Sequence, residues 1–143
     1  MNTKRIIMNY TTAPSLEDLE VIGELIAESL PEELSCHCEE LILIIEDMAD
    51  ETLQDDLSLD DPFDLLALYK SGKSIAPGIE QKTASNDDVL VLYRRPLLDM
   101  WSETGEDLQI LMRQVIIEEL GRHFDLSEDD IQEMNDQNYQ SMI

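Results

Sequence analysis

Positive charge is scarce in this chain. Nine lysines and arginines stand against 33 aspartates and glutamates, a formal charge of −24 over 143 residues. A field of that sign repels nucleic-acid phosphates and anionic lipid headgroups, and no basic patch interrupts it. Nucleic acid and membrane surfaces are therefore excluded as partners, whereas a basic peptide, a basic protein or a divalent cation would be attracted. A plainer account also covers the excess, since Asp and Glu keep a small protein soluble.

Long apolar runs are missing too. The longest aliphatic run, Leu41 to Ile45, falls far short of a membrane span. Lys4 and Arg5 are followed only by Ile6, Ile7 and Met8, too few for the core of a signal peptide. A cytoplasmic location is the expectation. Soft metal ligands are concentrated in one place, Cys36-His37-Cys38. C-x-C is not the C-x-x-C knuckle of zinc sites, and neighbours on an extended segment point to opposite faces. Ordinary cysteines beside a strand are expected, and a bridge between them would be strained. No internal repeat and no low-complexity segment is visible.

What is present is enough for one core. At 43% hydrophobic, 143 residues make a single domain, with 1 to 13 and 136 to 143 as loose ends. Ser15 with Asp18 starts a helix whose apolar face is Leu16, Leu19, Ile22, Ile26 and Leu30 and which ends before Pro31. Residues 32 to 38 read as a connection. Glu40 to Asp47 has the length and β-branching of a strand buried on both faces. Asp50 to Leu57 makes a short acidic helix, and Asp60-Asp61-Pro62 breaks it. Phe63 to Tyr69 is ambiguous between strand and helix by pattern alone. The stretch from 70 to 88 is the most loop-like of the chain and the natural place for a flap. Val89 to Tyr93 is the clearest strand. Pro96 suits the first turn of the next helix, which Leu97, Leu98, Met100 and Trp101 would pack and Gly105 would end. Ser127 with Asp130 caps a last short helix. The local pattern is α+β.

The chain's longest helical pattern is 106 to 130, EDLQILMRQVIIEELGRHFDLSEDD. Leu108, Leu111, Met112, Val115, Ile116 and Leu120 recur at helical spacing, and Ile110 and Ile117 add a second apolar direction. Such a helix should be buried on most sides. Glu119 and Arg122 continue one of its apolar stripes, with Glu118 one step round the helix and four residues before Arg122. These charges either line a cleft or pair with each other. The expectation is one network of Arg122 with Glu118 and Glu119, extended to Glu128.

The segment Glu118-Glu119-x-x-Arg122-His123-Phe124 resembles an altered H-E-x-x-H helix. In that motif two histidines one turn apart hold zinc and the Glu is the general base of peptide hydrolysis. The longer stretch EELGRHFDLSEDDIQEM is similar to the signature H-E-I-G-H-H-F-G-x-S-D-E of the small bacterial mini-zincins, a zincin-like family of zinc metallopeptidases. PFDLLALY at 62 to 69 resembles that family's P-x-D-L-L-G-L-Y, and VLVLYRRPLLDMW at 89 to 101 its strand followed by R-R-P. The likeness covers roughly residues 31 to 135. It implies a small sheet packed against the long helix, with the metal site at the helix's carboxyl end. Glu119 keeps the base position, Gly121 the small residue, and His123 and Phe124 the pair after the motif. The zinc-ligand positions hold Glu118, Arg122 and Glu128, and the signature's glycine is Asp125.

Zinc is thus the family expectation, and the residues here argue against it. Zinc takes imidazole, thiolate or carboxylate, and Arg122 stays protonated and repels a dication. The expectation is a chain with no metal and no cofactor, a catalytically degenerate homologue acting as a binding or regulatory protein. Two alternatives stay open. One is a metallopeptidase with a rebuilt site of Glu118, Glu119 and Glu128 with His123 or His37. The other is an acidic partner protein whose old cleft does nothing. His123 has a structural reading as a positive imidazole at the negative end of the helix dipole. Arg94 and Arg95 are expected to pair with carboxylates, with contact to an anion as the other option. Trp101 and Tyr93 are expected in or beside the core.

Charge alone yields one test. Salt screens self-repulsion, so unfolding free energy should rise between low and moderate ionic strength. A gel-shift titration at about 0.15 M salt should show no binding to duplex DNA.

Overall fold

A computed structural model describes residues 13–71 and 88–142. The loose lead-in and most of the expected flap lie outside those residues. In order, the elements are α1 (Leu16–Glu28), α2 (Glu32–Ser35), β1 (Ile42–Glu46), α3 (Glu51–Asp56), β2 (Ala67–Lys70), β3 (Val89–Tyr93), α4 (Arg94–Thr104), α5 (Leu108–His123) and α6 (Glu128–Met142). The chain is α+β. Its three strands lie in the order β1-β3-β2, with β1 parallel and β2 antiparallel to β3.

Local chemistry sets most boundaries. Ser15 accepts from the Asp18 amide while the Asp18 carboxylate accepts from the Ser15 amide, a reciprocal cap on α1. Asp50 caps α3 through the Leu53 amide at 2.8 Å. Asp107 caps α5 through the Gln109 and Ile110 amides. Gly105 ends α4 at φ 71°, a left-handed position that costs glycine nothing. The ambiguous Phe63–Tyr69 segment splits into a 3₁₀ turn at Pro62–Asp64, capped by Asp61, and strand β2.

β3 is central, and its residues alternate between two layers. Leu90 and Leu92 join the main core with α1, α2, α5 and α6. Val91 and Tyr93 join a smaller layer with Ala49, Leu53, Leu65 and Leu68 on the other face. Being covered twice, β3 can be apolar throughout.

Three expectations need correction. β1 is not buried on both faces. Leu43 and Ile45 pack toward α1, where the Leu43 side chain lies 2.7 Å from where a Gly23 Cβ would sit, but Ile42 is 47% and Ile44 39% exposed. β1 is an outer strand, and the small second layer reaches β3 and β2 without covering it. The connection at 32 to 38 contains helix α2, whose Leu34 is fully buried. The last helix is not short. α6 runs to Met142, because packing of Ile131 and Met134 nucleates a helix that then extends one hydrogen bond at a time.

α5 is enclosed by α1, α2, β2, α4 and α6. Leu108, Leu111, Met112, Val115, Ile116, Ile117 and Leu120 are all buried, so the reading of a helix closed on most sides holds. Arg113 is buried with them at 6% exposure and donates from Nη1 to Ser29 Oγ at 2.9 Å and from Nη2 to the Ser29 carbonyl at 2.6 Å. These bonds hold the carboxyl end of α1 on α5. At the crossing of α5 with α6, a Cβ on Gly121 would lie 2.6 Å from Ile131 Cγ1. The small residue is what lets α6 come this close.

Gly121→Val should therefore cost about 1–3 kcal/mol by overpacking. Adding Ile131→Ala to that variant should restore part of the loss in a denaturant titration, whereas Ile131→Ala alone should destabilise.

Candidate functional site

The carboxyl end of α5 closes with a specific turn. The Leu126 amide donates to the Gly121 carbonyl at 2.8 Å and the Asp125 amide to the Arg122 carbonyl at 3.3 Å. That pairing is a Schellman motif. It requires a left-handed residue at its centre, and Asp125 takes it at φ 65°. The mini-zincin signature places glycine at this position, which is the residue that such a backbone favours. Asp is among the few other residues that tolerate it.

The turn sorts side chains into two groups. Glu118, Arg122 and Glu128 face solvent, and Glu119 is half-buried. Arg122 Nη2 lies 3.2 Å from Glu119 Oε1, with side-chain exposures of 60% and 22%. No ion pair joins Arg122 to Glu118 or Glu128 among the described residues. The alternative of a cleft-lining pair gives way to a simple i, i+3 contact at the surface. A pair so exposed contributes at most about 0.5–1 kcal/mol. Among the described residues no group of three or more His, Cys, Asp or Glu side chains is placed to hold a metal ion.

The second group points inward. The His123 ring stacks on Tyr69 of β2, with centroids 3.6 Å apart and planes 15° from parallel. Phe124 meets both rings edge-on, at 5.1 Å from His123 and 5.7 Å from Tyr69. His37 stacks on Phe124 at 5.2 Å. Tyr69 donates its hydroxyl to Asp88 Oδ2 at 2.6 Å, and Asp88 is completely buried. Burial first, and the Asp88 carboxylate second, push the Tyr69 phenol well above its ordinary range. Both histidines of the chain thus sit in one aromatic cluster between α5, β2 and the turn after α2.

His123 is not the dipole-stabilised cation that the sequence suggested. Burial pulls its imidazole below the ordinary value, more than the Asp88 and Glu119 carboxylates raise it, and its Nε2 is buried with no hydrogen-bond partner. Desolvation outweighs the two carboxylates because the ring is half-buried against Tyr69. Cys38 lies close enough to Tyr69 to add to the rise of its phenol. Cys36 caps α2 in the open and Cys38 is half-buried. Burial, with Cys36 adding to it, pushes the Cys38 thiol up to about 11.

Arg94 and Arg95 are paired as expected. Both reach Asp47, at 3.0 and 2.9 Å, and Arg94 Nε also donates to the Pro14 carbonyl at 2.7 Å. They tie the start of α4 to the end of β1 and the approach to α1. The sequence reading missed Tyr69, Asp88 and the Arg113–Ser29 contact as organising groups. Only Tyr69 carried a signal, as the last residue of PFDLLALY; nothing local marked the other two.

His123 yields a signed pH dependence. Its folded-state pKa lies below the unfolded value of about 6.5, so the unfolded chain takes up the proton first. Its contribution to stability should be present above the unfolded value of about 6.5 and be lost as the pH falls from there through the lower folded-state pKa. His123→Phe keeps a ring on Tyr69 and removes the proton. The difference in unfolding free energy between the two proteins should change between pH 7 and 5.5 and be flat above pH 7.5.

No curated protein matches the chain. The family model described as zincin-like metallopeptidase matches residues 38–138, from the turn after α2 into α6. That span takes in the sheet, the long helix and the Schellman turn where the family's signature has its glycine, and the chain belongs to the zincin-like metallopeptidase family.

Proposed function

We propose that this chain is a zincin-like protein without zinc chemistry, acting as a binding or regulatory protein, with a basic peptide or protein as the class of partner that its charge favours. The observation that carries this reading is the Arg122–Glu119 contact at 3.2 Å. In the family resemblance these two positions belong to a zinc-binding imidazole and the general base. Here one is a permanent cation and the other is already its counter-ion. A guanidinium has no lone pair to give to zinc, and its charge raises the cost of placing a dication nearby. Glu118 and Glu128 retain oxygen donors, but an all-oxygen set suits calcium, magnesium or manganese rather than zinc. Glu119, at the base position, accepts from Arg122 instead. The aromatic cluster behind it, held by Tyr69 and Asp88, serves the packing of α5 on β2.

The expected outcome is a protein that purifies without stoichiometric zinc, has no chelator-sensitive peptidase activity, and melts at one temperature with or without EDTA. Restoring both imidazoles, Glu118→His with Arg122→His, should create zinc affinity, since Glu119 and Glu128 remain. Zinc at a hundredfold excess over its dissociation constant should then stabilise the variant by about 2.7 kcal/mol. One equivalent of zinc in the unaltered protein, held by residues 118 to 128, would overturn the reading in favour of a rebuilt metallopeptidase.

A further inference from the structure

A concavity lies away from Glu119 and Arg122. It is a half-open cavity of about 330 Å³ between the end of α1, the turn after α2, the start of β1 and α5. Its floor is aliphatic, made by Leu90 of β3 with Ile116 and Leu120 of α5, all buried. Its rim carries Glu28 and Glu39, both exposed, and no basic residue lines it. None of Glu118, Glu119, Arg122 and Glu128 takes part in it.

We infer that this cavity is the docking site for an aliphatic side chain presented by a basic peptide segment. The inference rests on the reading of the chain as a binding protein and assigns the contact to a place other than the carboxyl end of α5. The volume is at the small end for ligand sites, which suits one side chain better than a cofactor. An aliphatic floor offers a sugar or nucleotide few hydrogen-bond partners. The acidic rim, within a chain of net charge −24, repels fatty acids and phosphates. What remains complementary is an apolar group with positive charge beside it. The buried anchor supplies most of the affinity, while lysines or arginines facing Glu28 and Glu39 supply the rate of encounter and the salt dependence.

The test is a titration of the nitrogen-15-labelled full chain with the peptide Lys-Lys-Gly-Leu-Gly-Lys-Lys, and with its counterpart carrying Ala in place of Leu, followed by amide chemical shifts. Shifts should concentrate at residues 27 to 30 and 38 to 43. The Ala peptide should bind at least about tenfold more weakly, the cost of losing one buried aliphatic group. Ala27→Trp, at an exposed position of α1 on the cavity wall, should block binding. Glu28→Gln with Glu39→Gln should weaken it several-fold and flatten its salt dependence, and this pair carries the test if the Trp variant does not fold. No shift at millimolar peptide, equal affinity for the two peptides, or shifts centred on 118 to 128 would each overturn the proposal. The last result would leave the reading as a binding protein standing. Stoichiometric zinc in the purified protein would overturn that reading, while Leu-dependent shifts at 27 to 30 and 38 to 43 would still uphold the docking site.

Discussion

A helix with apolar side chains on nearly every side is stable in water only when other elements enclose it, and α5 imposes that constraint on the whole molecule. Five elements meet it from different directions. Where the enclosure would leave a charge stranded, it is answered locally. The Arg113 guanidinium, almost sealed from solvent, is given both the hydroxyl and the carbonyl of Ser29. A buried guanidinium without such partners would cost several kcal/mol. The contact therefore also decides where α1 ends against α5, and with it the position of the cavity beneath Glu28.

The end of the same helix decides what is presented to solvent. A Schellman turn through Asp125 directs Phe124 into the core and leaves Arg122 in the open. His123 is caught between the two, stacked on Tyr69 and deprived of a partner at Nε2. Neighbouring residues thus have opposite environments, set by the turn and by what distant segments pack against it. Gly121, one turn earlier, admits α6 against the helix, so its small size and the turn that follows together bring α6 onto α5.

Family membership and the proposed role rest on different parts of the chain. The scaffold needs apolar residues at set spacings, a small residue at 121 and a residue that tolerates a left-handed backbone at 125. Metal chemistry needs donors with free lone pairs at 118 and 122. These requirements are independent, so a chain can satisfy the first and leave the second, and a fold then says little of activity. The proposed reading takes the Arg122–Glu119 contact as that departure. The strongly acidic surface and the apolar cavity are further properties of the scaffold that owe nothing to zinc.

The sequence by itself determined most of the elements and the family, though not helix α2 or the length of α6. Ser15, Asp107, Ser127 and Gly105 mark helix ends through bonds within a few residues, and the spacing of Leu108 to Leu120 fixes a helix by a period that needs no other element. Motifs such as PFDLLALY and EELGRHFDLSEDD carry family likeness for the same reason, since each is contiguous. The tertiary structure alone decided which faces are covered. Ile42 and Ile44 look like core residues in the chain, yet stand exposed because β1 lies at the sheet's outer side. His123 was expected to be charged from its place at a helix end, and became a desolvated ring because Tyr69, 54 residues earlier in the chain, lies against it. Asp88 and Ser29 are unremarkable in sequence and matter only through Tyr69 and Arg113. Burial and desolvation depend on what distant segments bring into contact, and no local pattern of residues contains that information.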